Sequence, residues 1–367
     1  MTRLLTALLA VAALATLALA QDAPPELPSW SLPENAKFTA EDVSITRKVK
    51  TEDGEKEFKI AGTLRVPTGE KPLYGFPALL FISGSGAETR HGFQGKLDIG
   101  SWEVHDAIAN AGFVVLSVDD RGIGDTPIGE EGIDPSSIGY DELVGDAQAT
   151  LDYLLKRAEV DKSKVFIMGH SEGGLTAPIL ARDNPTVAGV ICMAGMGRNM
   201  YDITLDQTEA AMAKLPELVR KMNMKAQREF QDAVKEGREP DYNILGKEAA
   251  ANLKQAWKTK VLPLKAWWHD HFNLDVPAIH AAVKCPVFVA NGKSDFQVSP
   301  DKDAKQIVKD LMEGECEDVT LKLYDDLDHL FKPCNGRESE MKMYFEDRRV
   351  SADYIKDVTE WLTKHAK

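Results

Sequence analysis

Positive charge is scarce in this chain. Lys and Arg number 44 against 58 Asp and Glu, a formal net charge of −14 over 367 residues, which argues against nucleic acid or an anionic membrane surface as a partner. Internal repeats and low-complexity tracts are absent, and with 43% hydrophobic residues the chain reads as globular, one large domain carrying an insertion. Cysteine is sparse too, with four residues at Cys192, Cys285, Cys316 and Cys334. Cys192 and Cys285 fall in or beside apolar runs and read as small buried hydrophobes. Cys316 and Cys334 flank the run V-T-L-K-L-Y from opposite ends, roughly 20 Å apart along a strand, so a bridge between them needs the chain to double back. The Gly-rich stretch at Ser83–Arg90 lacks the lysine and Ser/Thr of a phosphate-binding loop. His269 and His271 have no further ligands in view, so a metal pair there is not expected.

What is present begins with a leader. Residues 1 to 20 carry one cation, Arg3, then a long apolar run ending Ala18-Leu19-Ala20, the pattern of a secretory signal peptide. An uncleaved anchor is the rival, since the run approaches the lower limit for spanning a bilayer. No cysteine follows the cleavage site, so lipid attachment there is not expected. The expected product is periplasmic or extracellular, with no stable membrane insertion. Residues 21 to 36, with prolines at 24, 25, 28 and 33, read as an extended linker.

From there the pattern is strand and helix in alternation. Val43–Lys50 and Glu57–Val66 alternate apolar and polar residues about Thr51-Glu52-Asp53-Gly54, which predicts an antiparallel hairpin. Pro77–Ile82, Phe113–Val118, Lys164–Met168, Val187–Met193 and Pro286–Ala290 are continuous apolar runs that suit parallel strands buried on both faces. Trp102–Ala111, Tyr140–Arg157, Glu172–Ala181, Asp301–Met312 and Ala352–His365 carry the helical period. Together they predict an α/β fold with a mostly parallel, doubly wound sheet. Residues 37–196 form its first part and 281–367 its second. Between them the alternation stops over 197–280, too long for a structureless loop. Helical periods at Leu205–Met222, Lys225–Glu236 and Gly246–Lys258 make this an inserted helical cap. Met193, Met196, Met200, Met212, Met222 and Met224 gather at its start, either as an adaptable acyl pocket or as ordinary helix core.

The chemistry centres on Val165–Pro178, where Gly169, Ser171 and Gly173 form G-x-S-x-G between an apolar run and a helix. Such a bend points the serine hydroxyl outward and leaves the Glu172 N–H at a helix start, where developing negative charge is favoured. A serine needs a base and a group that orients the base. His329 lies in a loop after a late strand, where the base belongs in the order Ser, acid, His. Asp295 follows the strand C-P-V-F-V-A-N, at that strand's carboxyl end. Asp325, Asp326 and Asp328 are nearer in sequence, but residues adjacent in a loop seldom reach the ring nitrogen. A second oxyanion donor is expected from the loop after A-L-L-F-I, at the N–H of Ser85, with Gly86 next in order.

G-H-S-E-G-G, F-I-S-G-S-G-A-E-T-R, V-D-D-R-G-I-G-D-T, A-N-G-K-S-D-F-Q-V and D-L-D-H-L-F together resemble the α/β-hydrolase superfamily. More narrowly they resemble bacterial carboxylesterases related to dienelactone hydrolase and the prolyl oligopeptidase catalytic domain. The resemblance covers 38–196 and 281–367 and implies Ser171 as nucleophile, Asp295 as acid and His329 as base. Where the family's oxyanion loop commonly starts His-Gly, this chain has Ser83-Gly84. Arg90 and Arg121 match family arginines and are expected to pair with nearby carboxylates. The implied reaction is hydrolysis of a small-molecule carboxylic ester, short-chain by expectation, through an acyl-enzyme and without metal or organic cofactor. A serine peptidase of prolyl oligopeptidase type, a thioesterase or acyltransferase, and an exported binding module stay open.

Overall fold

The computed structural model describes residues 29–51 and 54–367. The proposed signal segment, the first half of the linker and the middle of the first hairpin turn lie outside the described residues. Eight strands form the main sheet: β1 Phe38–Thr51, β2 Gly54–Pro67, β3 Phe76–Ile82, β4 Val114–Val118, β5 Val160–His170, β6 Gly189–Met193, β7 Val287–Gly292 and β8 Val319–Tyr324. Their order across the sheet is β1-β2-β4-β3-β5-β6-β7-β8. The hairpin pairs antiparallel from Phe38↔Pro67 to Thr51↔Gly54, β2 runs antiparallel to β4, and every other pairing is parallel.

The runs predicted to be buried on both faces are so. Residues 114–117 of β4 and all of β6 and β7 are buried, which is what removes the polar alternation from their sequences. The helices that lie with this sheet are α1 Ser101–Asn110, α2 Tyr140–Leu154 (from Val144 onward), α3 Gly173–Asp183, α8 Val276–Ala281, α9 Lys305–Glu313 and α10 Ala352–His365. One apolar core joins the hairpin, Ala147, Leu151 and Leu154 of α2, Ala177 and Leu180 of α3, and Ile307 and Leu311 of α9. The other packs Val104 and Ile108 of α1 with Tyr354, Val358 and Trp361 of α10.

Arg65 stands inside this apolar surround with no exposed side-chain surface, its Nε 2.7 Å from Asp106 Oδ1. Trp30 seals the pair: its ring lies 4.7 Å from the guanidinium and its indole N–H donates to Asp106 Oδ2 at 3.0 Å. The end of the proline-rich segment is therefore fastened to the core. Removing one partner of such a pair strands a buried charge, so Asp106→Ala is expected to cost about 3–5 kcal/mol of stability in denaturant unfolding. A loss under about 1 kcal/mol would refute this account of the pair.

The chain packs as two compact units. One comprises Gly132–Leu143 and Arg198–Asp275; the other holds the described part of Gln21–Glu131, with Val144–Gly197 and Val276–Lys367. In the helical unit lie α4 Met200–Ala211, α5 Glu217–Lys235, α6 Ala250–Ala256 and α7 Lys265–Asn273. The helix predicted across Leu205–Met222 is broken instead, and Pro216 precedes α5 directly. Proline has no N–H to give a helix interior but is tolerated at a helix start, so the second half of that period joins the segment predicted to begin at Lys225. Gln231 Nε2 donates to Thr204 Oγ1 at 2.5 Å and Tyr201 Oη to Asp232 Oδ1 at 2.7 Å, lashing α5 to α4. Met193, Met196, Met200 and Met212 are buried. All four cysteines are free thiols; Cys316 Sγ lies 3.3 Å from the Cys285 carbonyl oxygen, not against Cys334.

Candidate active site

The parallel strands β5, β7 and β8 deliver their carboxyl ends to one edge of the sheet, and the residues of interest follow directly. Ser171 is the first residue after β5, Asp295 the third after β7 and His329 the fifth after β8. Ser171 adopts φ +54°, a left-handed backbone conformation that costs a non-glycine residue on the order of 1–3 kcal/mol. The turn is held in it by its neighbours: the Ser171 N–H donates to the Met193 carbonyl at 2.8 Å, and the Gly174 N–H to the Ser171 carbonyl at 2.9 Å. Two glycines make it sterically feasible. A Cβ on Gly169 would run into the backbone of Gly173, and one on Gly173 would strike the carbonyls of Ile82 and Ser83. The motif spacing is thus a packing requirement of strand, turn and helix. Glu172 is the N-cap of α3, which puts its amide among the orphan donors of that helix.

Asp295 and His329 are brought together. Nδ1 of His329 lies 2.8 Å from Asp295 Oδ2. The same oxygen accepts from Asn291 Nδ2 at 3.1 Å, and Oδ1 accepts from the N–H groups of Gln297 and Val298 at 2.8 and 2.9 Å. The carboxylate is fully buried yet four donors meet it, which is how a buried charge is tolerated. A carboxylate only accepts, so His329 carries its proton on Nδ1, and Nε2 is the nitrogen that can take another. Burial alone would depress the His329 pKa. The charge and hydrogen bond of Asp295, with Asp328 and Glu88 farther off, outweigh it and hold the pKa above its ordinary value.

The loop carrying His329 is pinned by Asp328, whose Oδ1 accepts from the Leu330 and Lys332 amides and whose Oδ2 pairs with Arg348 at 2.7 Å. Asp328 therefore serves the loop and not the ring. Gly292 lets the two loops close on each other, since a Cβ there would strike the carbonyls of Leu327 and Asp328.

His170 directly precedes the nucleophile, as the last residue of β5. Its ring lies tilted at 46° to that of His329, centroids 4.7 Å apart, and its Nε2 donates to the His329 carbonyl at 3.0 Å. Burial, with His329 beside it, lowers its pKa to about 3, so it is neutral. A histidine next to the nucleophile gives no sequence sign of this, because its partner is 159 positions away.

The loop after β3 lies against the elbow. A Cβ on Gly84 would sit 3.3 Å from Ser171 Cβ and 3.3 Å from His170 Nδ1. Asp120, in the loop after β4, fastens it: Ser83 Oγ donates to Oδ1 at 2.5 Å, the Glu88 N–H donates to Oδ2 at 2.8 Å, and the Asp120 N–H returns to the Glu88 carbonyl at 3.0 Å. A Cβ on Gly84 would also sit 3.4 Å from Glu88 Oε1. Ser85 and Gly86, the latter at φ +110°, are the exposed residues of the Ser83–Arg90 stretch. Arg90 pairs with buried Asp119, its Nη2 at 2.5 Å, and Arg121 with Asp146, also at 2.5 Å. Both brace the surrounding loops.

His271 is buried in the helical unit against the rings of Tyr140 and Trp267. Among the described residues no group of three or more His, Cys, Asp or Glu side chains is placed to hold a metal ion.

Residues 91–331 match the family model described as "Serine aminopeptidase, S33". The chain is similar to esterase EstD of Thermotoga maritima, 24% identical over 341 residues, covering 92% of this chain and 70% of that protein. In structure it is similar to an esterase of Pyrococcus furiosus, with TM-score 0.55, 16% identity, and coverage of 94% of this chain and 97% of the other. It is also similar to an acetyl xylan esterase from Paenibacillus sp. R4, with TM-score 0.52, 15% identity, and coverage of 92% and 86%. At such identities the structural likeness establishes the α/β-hydrolase fold.

Proposed function

We infer the reaction from one premise: the chain belongs to the serine aminopeptidase S33 family of α/β hydrolases and is an enzyme, a serine hydrolase of esterase type. The reaction we assign is hydrolysis of a small carboxylic ester. Ser171 attacks the ester carbonyl while Nε2 of His329 takes its proton, with Asp295 orienting the ring and stabilising the imidazolium. The amides of Glu172 and Ser85 receive the oxyanion. His329 then protonates the leaving alcohol, and water activated by the same histidine releases the acid from Ser171.

The observation that carries this reading is the 2.8 Å bond between His329 Nδ1 and Asp295 Oδ2, made by loops that follow two neighbouring parallel strands at the edge where Ser171 stands on its strained turn. A buried carboxylate with four donors, directed at one ring nitrogen, is an expensive arrangement whose natural use is to prepare the other nitrogen as a base.

The test is release of nitrophenol from nitrophenyl esters of increasing acyl length, with a dipeptidyl nitroanilide alongside. Turnover of the short esters, falling as the acyl chain lengthens and exceeding anilide cleavage, is the expected result. Anilide cleavage with weak ester turnover would move the chain to the peptidase branch.

A further inference from the structure

Behind the loop that faces Ser171 stands a side chain to which the reaction above assigns no part. Glu88 is 3% exposed. Its Oε1 lies 3.4 Å from where a Cβ of Gly84 would be, a point itself 3.3 Å from Ser171 Cβ. The Gly84 backbone is placed to favour the charge of this carboxyl, whereas among the described residues Oε2 is buried with no hydrogen-bond partner. Among the described residues no Lys or Arg is one of the groups that set its charge. A buried carboxyl with one oxygen unpaired is costly; neutral Gln or an apolar residue would fill this space more cheaply.

We infer that Glu88 is a positioning residue for the hydrolysis: it holds the Ser83–Gly86 loop against the nucleophile through the Gly84 amide, and its negative charge supports the imidazolium that His329 becomes in the transition state. This rests on the reading of Ser171 and His329 as nucleophile and base.

The groups facing Glu88 decide when it is charged. Asp120 lies across the loop after β4, and Glu172 at the start of α3 acts on Asp120 in turn. His170 reaches the same Gly84 position from the end of β5. Among the described residues, His329, on the loop after β8, is the side chain that favours the charged form. Burial dominates and pushes the Glu88 pKa up to about 7, the Gly84 amide and His329 opposing it. Glu88 is thus neutral in mild acid and charged at mildly alkaline pH. His329 and Glu88 titrate as a coupled pair, so the profile reports both together.

The experiment is the pH dependence of kcat and KM on a short nitrophenyl ester, from pH 5 to 9, for the wild type and Glu88→Gln. Gln keeps an acceptor for the Gly84 amide and removes the charge. Near pH 5 both proteins carry a neutral group at this position, and their rates are expected to agree within about twofold. By pH 8 the wild type is expected to be about tenfold faster in kcat, the scale of one unit charge acting across a protein interior, with KM changed less than about twofold. A loss of equal size at every pH, as packing damage would produce, overturns the inference, and so does an unchanged profile. If Glu88→Gln does not fold, Glu88→Asp takes its place. Its carboxylate, shorter by one methylene, should displace the inflection at constant KM, and an unmoved inflection overturns the proposal. Ser171→Ala is run beside them. Ester turnover that survives that change sinks the parent reading, whereas Ser171-dependent turnover indifferent to Glu88 sinks this inference alone.

Discussion

Ser171→Ala is expected to lower kcat on nitrophenyl esters by roughly 10⁵- to 10⁶-fold, the cost of removing the nucleophile from a serine hydrolase. The substitution suits this site because alanine meets the same backbone strain as serine at φ +54° and loses no buried contact of consequence. Its N–H still reaches the Met193 carbonyl, and its carbonyl still receives the Gly174 N–H. The melting temperature should therefore stay within about 2 °C of wild type, which separates a chemical loss from a folding one. What remains of the rate should come from the oxyanion donors and substrate binding, which work without the hydroxyl. A variant that keeps more than about a tenth of the wild-type rate would remove Ser171 from the mechanism.

Asp295→Asn is expected to cost about 10⁴-fold in kcat, through the tautomer of His329 more than through geometry. Oδ1 of the new amide can still accept from the Gln297 and Val298 amides. An NH₂ in place of Oδ2 would confront two donors, Asn291 Nδ2 and His329 Nδ1–H. The ring escapes by moving its proton to Nε2, where it can no longer accept one from Ser171. The same change has a sign in pH. The folded-state pKa of His329 lies above its ordinary value of 6.5, and after burial, which opposes this, Asp295 is the largest influence. A histidine whose pKa is raised on folding contributes stability below its unfolded pKa and loses that contribution as pH rises through the folded value. Asp295→Asn should therefore lose more stability at pH 5 than at pH 8, and its residual kcat/KM should keep its acid limb at lower pH than the wild type. Equal destabilisation at both pH values would show that Asp295 does not act on the charge of His329.

Much of the architecture is legible because local chemistry and global fold agree. Runs of apolar residues without alternation become strands buried on both faces. The helix read at Ala352–His365 has those same bounds in the structure, since its apolar period and ends coincide. Helix limits in the structure depart from the sequence pattern where the apolar period runs through a residue that cannot continue a helix, as at Pro216 between α4 and α5. The period reports which face is buried; whether the backbone hydrogen bonds run unbroken is a separate matter.

Within the site, the sequence by itself determined the turn: G-x-S-x-G between a strand and a helix leaves few backbone paths, and Gly169 and Gly173 are required where a Cβ would meet backbone atoms. It also marked Asp295 and His329 as ends of late strands, because parallel strands must all open at one edge. Only the tertiary structure decided what surrounds them. His170 donates to the His329 carbonyl, Asp120 ties down the loop after β3, Gly292 admits the His329 loop, and Glu88 stands buried beside Gly84. Each of these depends on distances between residues far apart in the chain, fixed by strand order and by the collective packing of the sheet. Short-range pattern carries no information about such encounters, which is why the influence of Glu88 on the charge of His329 became visible only in three dimensions.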